Sequence, residues 1–263
     1  MDGARTVALP GSVLAAWSDA SRGDLRPAGD GPDDGPALWD FAREASAASG
    51  DPVRSVRWLH QVHGPTVVDV PADPPAGLGT GPEAGDALVT DVPGVALCVL
   101  TADCGALALS SPEGVFAAVH AGWRGLLDGV VEAAVAAMRS RGATEVVGAL
   151  GPCIHAGCYE FSHEDLDAVA AVYGDGVRGT TTDGRPALDV PAGIDAALAR
   201  AGAGRVAGVD TCTACGHGYF SHRARRDTGR QALVVWAITA TITATATAAA
   251  TVPPADTDPG SRS

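Results

Sequence analysis

Hydrophobic positions along this chain follow two rhythms. Unbroken apolar runs at residues 95–100, 115–119, 146–150 and 231–238 are rich in Val, Leu and Ala, and read as buried strands. Residues 53–59 alternate instead, as a strand with one wet face, and 67–70, 206–209 and 218–221 read as shorter strands. An opening strand over 7–17 is interrupted by Pro10-Gly11. Helical spacing appears at 37–48 and 126–141. Ser162 with Asp165 forms a capping pattern for a helix ending at Tyr173, and Asp189 caps another over 191–201. The segments 18–36 and 71–85, crowded with Gly, Pro and Asp, read as loops. Hairpin strands mixed with a few helices predict an α+β fold: a single layered α/β domain with mixed sheets and packed helices.

Composition narrows this picture. With 263 residues, 46% hydrophobic and 19% charged, the chain can bury a substantial core of small aliphatic side chains. One domain over 1–237 is expected, followed by a low-complexity tail over 238–263 that alternates Thr and Ala before turning Pro/Asp/Ser-rich, and so reads as disordered. A net charge of −13 argues against nucleic acid as a partner, because neutralising phosphates needs clustered Lys and Arg. No apolar stretch approaches about 18 residues, so no membrane partner is expected. The amino terminus lacks the basic and apolar regions of a secretory leader, which makes a cytoplasmic location the default. The cysteines (Cys98, Cys104, Cys153, Cys158, Cys212, Cys215) are dispersed, and read as thiols or ligands rather than a disulfide framework.

Candidate chemistry gathers at strand ends. The run over 115–119 stops at His120, passes Gly122 and Gly125 around Trp123 and Arg124, and becomes helical: strand, tight turn, helix. The carboxyl end of a strand facing a helix amino terminus is a common ligand site in α/β proteins. Cys104 follows the strand over 95–100 in the same manner, and His63 follows that over 53–59. Two imidazoles and a thiolate would give Zn²⁺ three protein ligands and leave a fourth position for water or substrate. The plain alternative is a buried cysteine and two ordinary hydrogen-bonding histidines. Cys212 and Cys215 have metal-like CxxC spacing, and Cys153 and Cys158 would complete a four-cysteine zinc site if all four met. Reduced thiols around turns are the favoured reading there. Arg223, Arg225, Arg226 and Arg230 form a dense basic cluster, read as a solvated hairpin with a local phosphate contact as the alternative.

Several motifs together resemble the YfiH family: Gln61-Val62-His63-Gly64, Ala102-Asp103-Cys104, His120-Ala121-Gly122-Trp123-Arg124-Gly125 and Gly151-Pro152-Cys153-Ile154. Further matches run through residues 86–91, Tyr159-Glu160, Cys212-Thr213, 219–223 and Thr228-Gly229-Arg230. The family is described both as laccase-domain polyphenol oxidases and as purine nucleoside phosphorylases. The resemblance implies a fold similar to the catalytic domains of cytotoxic necrotizing factors. It also implies a metal-binding catalytic site at His63, Cys104 and His120, phosphorolysis of adenosine, inosine, guanosine and methylthioadenosine, and deamination of adenosine. This chain departs from the family at residues 18–25, where only Arg22 stands in for the usual nucleoside- and phosphate-contacting segment, and at Ala224, where the family has a second Arg.

The expected enzyme is thus a zinc-dependent purine nucleoside phosphorylase, with Cu²⁺ as the other metal. Its partners would be purine nucleosides and phosphate, and its state a monomer or weak homodimer. Arg124 is expected to clamp phosphate, with Arg22, Asp86 and Asp103 as further substrate or phosphate contacts; either aspartate could instead fix an imidazole or move a proton. The cytidine-deaminase signature is absent, so deamination would need another arrangement. Two alternatives stand beside this reading: a copper-dependent, laccase-like polyphenol oxidase, disfavoured by seven histidines without an H-x-H pair, and a degenerate metal-binding member without nucleoside turnover.

Overall fold

The apolar runs pair into two six-stranded sheets laid face to face in the computed structural model, which describes residues 4–29, 34–79 and 83–239. The chain opens with a hairpin, β1 (Ala4–Leu9) and β2 (Val13–Ser18), then forms α1 (Pro36–Ala47) and the short strands β3 (Ser55–Arg57), β4 (Val67–Asp69) and β5 (Gly77–Leu78). Next come β6 (Ala87–Thr90), β7 (Val95–Thr101), β8 (Gly105–Ser110) and β9 (Phe116–Ala121), followed by α2 (Trp123–Leu127) and α3 (Val130–Ser140). The remainder comprises β10 (Val147–Leu150), α4 (His163–Tyr173), β11 (Arg178–Thr180), β12 (Pro186–Leu188), α5 (Val190–Arg200), β13 (Gly204–Gly208), α6 (His222–Arg225) and β14 (Gln231–Ala237).

The first sheet runs β1-β2-β14-β7-β3-β5 and the second β13-β10-β8-β9-β6-β4, while β11 and β12 form a separate hairpin. Both large sheets are mixed: β3 lies parallel to β5 and β7, β4 to β6, and β10 to β13, with the other pairs antiparallel. Three cores result. Leu97 and Val99 of β7 meet Phe116 and Ala118 of β9 between the sheets. On the opposite face of β7, Ala96 and Cys98 pack beneath Leu38, Phe41 and Ala42 of α1. On the opposite face of β9, Ala117 and Val119 pack beneath α3 and α5, through Val131, Val135 and Ile194. Central strands are therefore buried on both faces, which is why they read as continuous apolar runs rather than as alternation.

The structure corrects several expected boundaries. The helix expected over 126–141 is two, because Gly129 adopts φ +86°, which breaks the ladder before α3 begins. Within 53–59 only Ser55–Arg57 pairs as a strand, and within the loop expected over 71–85 a two-residue strand forms at Gly77–Leu78. The strand expected over 218–221 is a turn. Ser221 accepts a hydrogen bond from Ala224 N at 3.2 Å and so caps α6, making the arginine segment a helical turn that ends with Arg226 at φ +58°. Past residue 237, Ile238 N still donates to Ser12 O at 3.0 Å, and Thr239 N to Asp51 Oδ2 at 2.6 Å. The tail expected from there lies outside the described residues beyond 239. Among the described residues no helix is long and apolar enough to cross a membrane.

Candidate active site

β7, β9 and the segment after β3 all end on the same rim, and this brings His63, Cys104 and His120 together. Their ligand-capable atoms all lie within 4.8 Å of one another. The two imidazole rings meet edge-on at 4.8 Å between centroids, and Cys104 Sγ lies 3.9 Å from His63 Nε2. His120 is buried at the end of β9, Cys104 is partly buried in the turn between β7 and β8, and His63 is exposed with φ +60°.

Asp86 organises this corner. Fully buried before β6, it accepts the Nδ1–H of His120 at 2.8 Å and the backbone N–H groups of Val62, His63 and Gly64 at 3.2, 3.0 and 2.7 Å. One carboxylate therefore fixes both a ring and the loop that carries the other ring. Its burial favours the neutral acid, but the His120 contact and the backbone donors prevail and hold its pKa below the ordinary value. Gln61 fastens the same loop to the end of β7, donating to Leu100 O and accepting from Leu100 N, each at 2.8 Å.

The glycines of the His-Ala-Gly-Trp-Arg-Gly run permit this closeness. A Cβ on Gly122 would sit 2.6 Å from His63 Cδ2 and 3.5 Å from both Cys104 Sγ and His120 Cε1. One on Gly125 would press on Gly64 O at 3.0 Å.

Electrostatically, Cys104 and His120 form a thiolate–imidazolium pair. Burial alone would keep the thiol protonated, yet the charges and hydrogen bonds of His120 and His63 bring its pKa down to about 6. Burial would likewise discharge His120, but Cys104 and Asp86 push it up to about 9.

The donor set fits a metal ion. Tetrahedral zinc with N and S ligands needs donors about 3.3–3.8 Å apart, a small contraction from the spacing here. A carboxylate on the far nitrogen of His120 is the usual means of presenting Nε2 to a metal. His63, Cys104 and His120 could therefore hold one.

The cluster opens into a cavity of about 530 Å³ walled by four arginines (Arg26, Arg124, Arg223, Arg230) and by Trp58, Trp123 and Tyr159. The Arg124 guanidinium lies 4.4 Å from the centre of the Trp123 ring and has no carboxylate partner among the described residues; Arg223 covers Tyr159 at 4.5 Å. Asp103 lines the cavity, but both its oxygens are engaged, by Thr213 Oγ1 at 2.7 Å and by Arg223 N at 2.6 Å. It ties loops together and faces no imidazole. Arg22 does not reach the cavity, since it pairs with Glu44 at 2.5 Å and lies over Phe41. Its place on the wall is taken by Arg26, four residues along. Arg26, Trp58, Gln61, Tyr159 and His222 were not among the expected site residues, whereas Arg223 and Arg230 of the basic cluster do reach the cavity. Trp58 and Gln61 had a signal in their nearness to His63, and His222 in the matched motif over 219–223 that leads into α6; Arg26 arrives on an irregular segment and had none.

The class of protein these features define is a two-sheet, helix-flanked α/β domain with a His₂Cys cluster that could hold a metal, opening into a cavity lined by arginines and aromatic rings. The chain belongs to the family described as multi-copper polyphenol oxidoreductase laccase, whose model matches residues 30–238. It is 44% identical over 208 residues to a purine nucleoside phosphorylase of Streptomyces coelicolor, covering 77% of this chain and 84% of that one. It is 38% identical over 242 residues to a purine nucleoside phosphorylase of Streptomyces griseus, covering 88% and 97%. Among solved structures, the hypothetical protein YfiH of Bacillus licheniformis superposes with a TM-score of 0.72 at 21% identity, covering 86% of this chain and 92% of that one. A Neisseria meningitidis protein superposes at 0.70 with 26% identity, covering 90% and 100%. The YfiH-type layered fold expected from the motifs is therefore present.

Proposed function

We propose that this chain is a zinc-dependent purine nucleoside phosphorylase that converts adenosine, inosine, guanosine or methylthioadenosine and phosphate to free base and the corresponding ribose 1-phosphate, with adenosine deamination as a second activity. The observation that carries this reading is the cavity itself: a His₂Cys cluster beneath arginines and aromatic faces, in a chain whose relatives bear that name.

Phosphorolysis joins a phosphate oxygen to the anomeric carbon as the bond from that carbon to the purine nitrogen breaks; the electron pair leaves with the base, which then takes up a proton. Zinc held by His63, Cys104 and His120 would supply a Lewis acid at the reacting centre. Arg124, with no carboxylate partner among the described residues and braced on Trp123, orients phosphate through a planar fork of donors. Arg230 extends the positive wall, and Arg26 lines it while paired with Asp24 at 2.7 Å. Trp58 offers a flat apolar face to the purine, with Tyr159 beneath Arg223 on the same wall. Asp86 holds the His120 ring in one orientation and, through the backbone N–H groups of Val62, His63 and Gly64, fixes the loop that carries His63, so it acts as a positioning residue.

A laccase mechanism is less well supported. A trinuclear copper centre needs many paired histidines, whereas the cluster at this cavity contains two histidines and a cysteine.

The test is incubation of purified, metal-analysed protein with adenosine, with and without phosphate, followed by chromatography. Adenine released only with phosphate supports phosphorolysis; inosine formed without phosphate supports deamination. Neither product, from protein that carries zinc, would overturn the reading in favour of a degenerate site. Cys104→Ala should cut turnover at least about 10³-fold while leaving the fold intact, and an active, metal-free variant would refute the assignment of Cys104.

A further inference from the structure

A second group of sulfurs stands apart from this site. Cys158 closes a 3₁₀ turn (Ala156–Cys158), and Cys212 and Cys215 lie in the loop that follows β13. The three Sγ atoms all lie within 4.8 Å of one another. In a tetrahedron of Zn–S bonds about 2.3 Å long the sulfurs are about 3.8 Å apart, so modest side-chain rotation would close this set on an ion. Cys153, though buried and bridged to Cys212 through the backbone, is not part of the group.

The loop is already shaped for a metal. Cys212 Sγ accepts the backbone N–H of His155 at 3.5 Å and those of Ala214 and Cys215, within its own CxxC turn. Backbone N–H groups turned onto the first sulfur of a CxxC turn are the setting in which a metal-bound sulfur is held. The turn is tight because Gly216 N bonds to Cys212 O at 2.8 Å, where a side chain on Gly216 would collide with that carbonyl. Arg225 clamps the loop from outside, donating to Ala214 O at 2.9 Å and Thr213 O at 3.2 Å. Three thiols this close cannot all ionise alone. A cation relieves that repulsion and releases the thiol protons on binding.

We propose that Cys158, Cys212 and Cys215 form a second zinc site, a structural one, whose fourth ligand comes from solvent. Its place gives it a task. Tyr159, next to Cys158, lines the main cavity, and Thr213, next to Cys212, donates to Asp103, the neighbour of Cys104. An ion on the three sulfurs staples together the two loops that carry one wall of the cavity and the brace behind Cys104. The inference rests on these thiols alone and not on the reading of the first site.

The full chain, produced with zinc under reducing conditions, should carry about two zinc ions. Cys104→Ala should keep about one of them, as should the double variant Cys158→Ser, Cys215→Ser, since each abolishes a different site. With cobalt substituted for zinc, sulfur-to-metal charge-transfer absorption should survive Cys104→Ala largely intact and fall most in the double variant. Should that variant fail to fold, wild-type protein serves instead. Cys215, exposed, and Cys158, partly exposed, should resist alkylation in the zinc-loaded chain and become reactive on chelation, as read peptide by peptide in a mass spectrometer. Alkylation of both that is indifferent to zinc and chelator would overturn the proposal. So would a single zinc per chain that the double variant leaves in place, or a Cys212–Cys215 disulfide recovered under the same reducing conditions.

Discussion

Two buried aspartates flank the candidate site and do different work. Asp86 and Asp103 each stand beside a strand end, each is at most 6% exposed, and each has both carboxylate oxygens occupied. Yet Asp86 spends one of its contacts on an imidazole, whereas Asp103 spends both on scaffold, a threonine hydroxyl and a backbone N–H. The same residue type in similar burial thus serves chemistry in one place and architecture in the other. What separates them is the partner that the fold supplies. Asp86 pairs with the chain that ends in His120, while Asp103, at φ +93°, is turned towards the loop of Thr213 and the start of α6.

That contrast can be broken by substitution. Asp86→Asn should weaken zinc binding at the His₂Cys site by about 10- to 100-fold, and turnover with it, because the ring nitrogen loses its charged acceptor. Titration with a competing chelator would read this, and an unchanged affinity would remove Asp86 from its positioning role. Asp103→Asn should leave that affinity intact and instead lower stability by about 1–3 kcal/mol, since an amide cannot accept from both Thr213 and Arg223 N. Denaturant unfolding measures that loss, and equal loss of zinc in both variants would erase the distinction.

A smaller effect sharpens it further. In metal-free protein, alkylation of Cys104 should rise as the pH climbs through about 6, because His120 and His63 hold the thiol below its ordinary 9.0. Reactivity is then present above that point and lost below it. Asp86→Asn, by weakening the charge on His120, should move the midpoint upward; Asp103→Asn should not. Iodoacetamide labelling across pH decides between them. Cys98, buried and with its thiol pushed far up by burial, provides an unreactive internal control.

The sequence carried the centre of the site better than its walls. Three reactive residues at strand ends could be expected to converge, because strands in a layered domain end on common rims, and His63, Cys104 and His120 do meet. Nothing local distinguished Arg22 from Arg26: both lie in one irregular segment, and only the pairing of Arg22 with Glu44 of α1 removes it from the cavity. The partners of Asp103 lie 110 and 120 residues away, contacts that no local pattern reports. Apolar runs at 95–100 and 115–119 announced strands covered on both faces. The order of strands within each sheet was beyond reach, because it depends on which buried faces fit rather than on any single segment.

β14 has a consequence for how the molecule comes into being. It lies inside the first sheet between β2 and β7, the strand that ends just before Cys104. On the ribosome, everything up to Arg230 emerges while two long strands still wait for the one that will join them. Each offers a bare, sticky edge in the meantime. Assembly of the reactive centre is thus a late event in the chain's history, governed by the arrival of seven residues that carry no chemistry themselves. A chain cut before Gln231 should accordingly accumulate as aggregate, whereas one carrying β14 should not, a difference visible by sedimenting the two after expression.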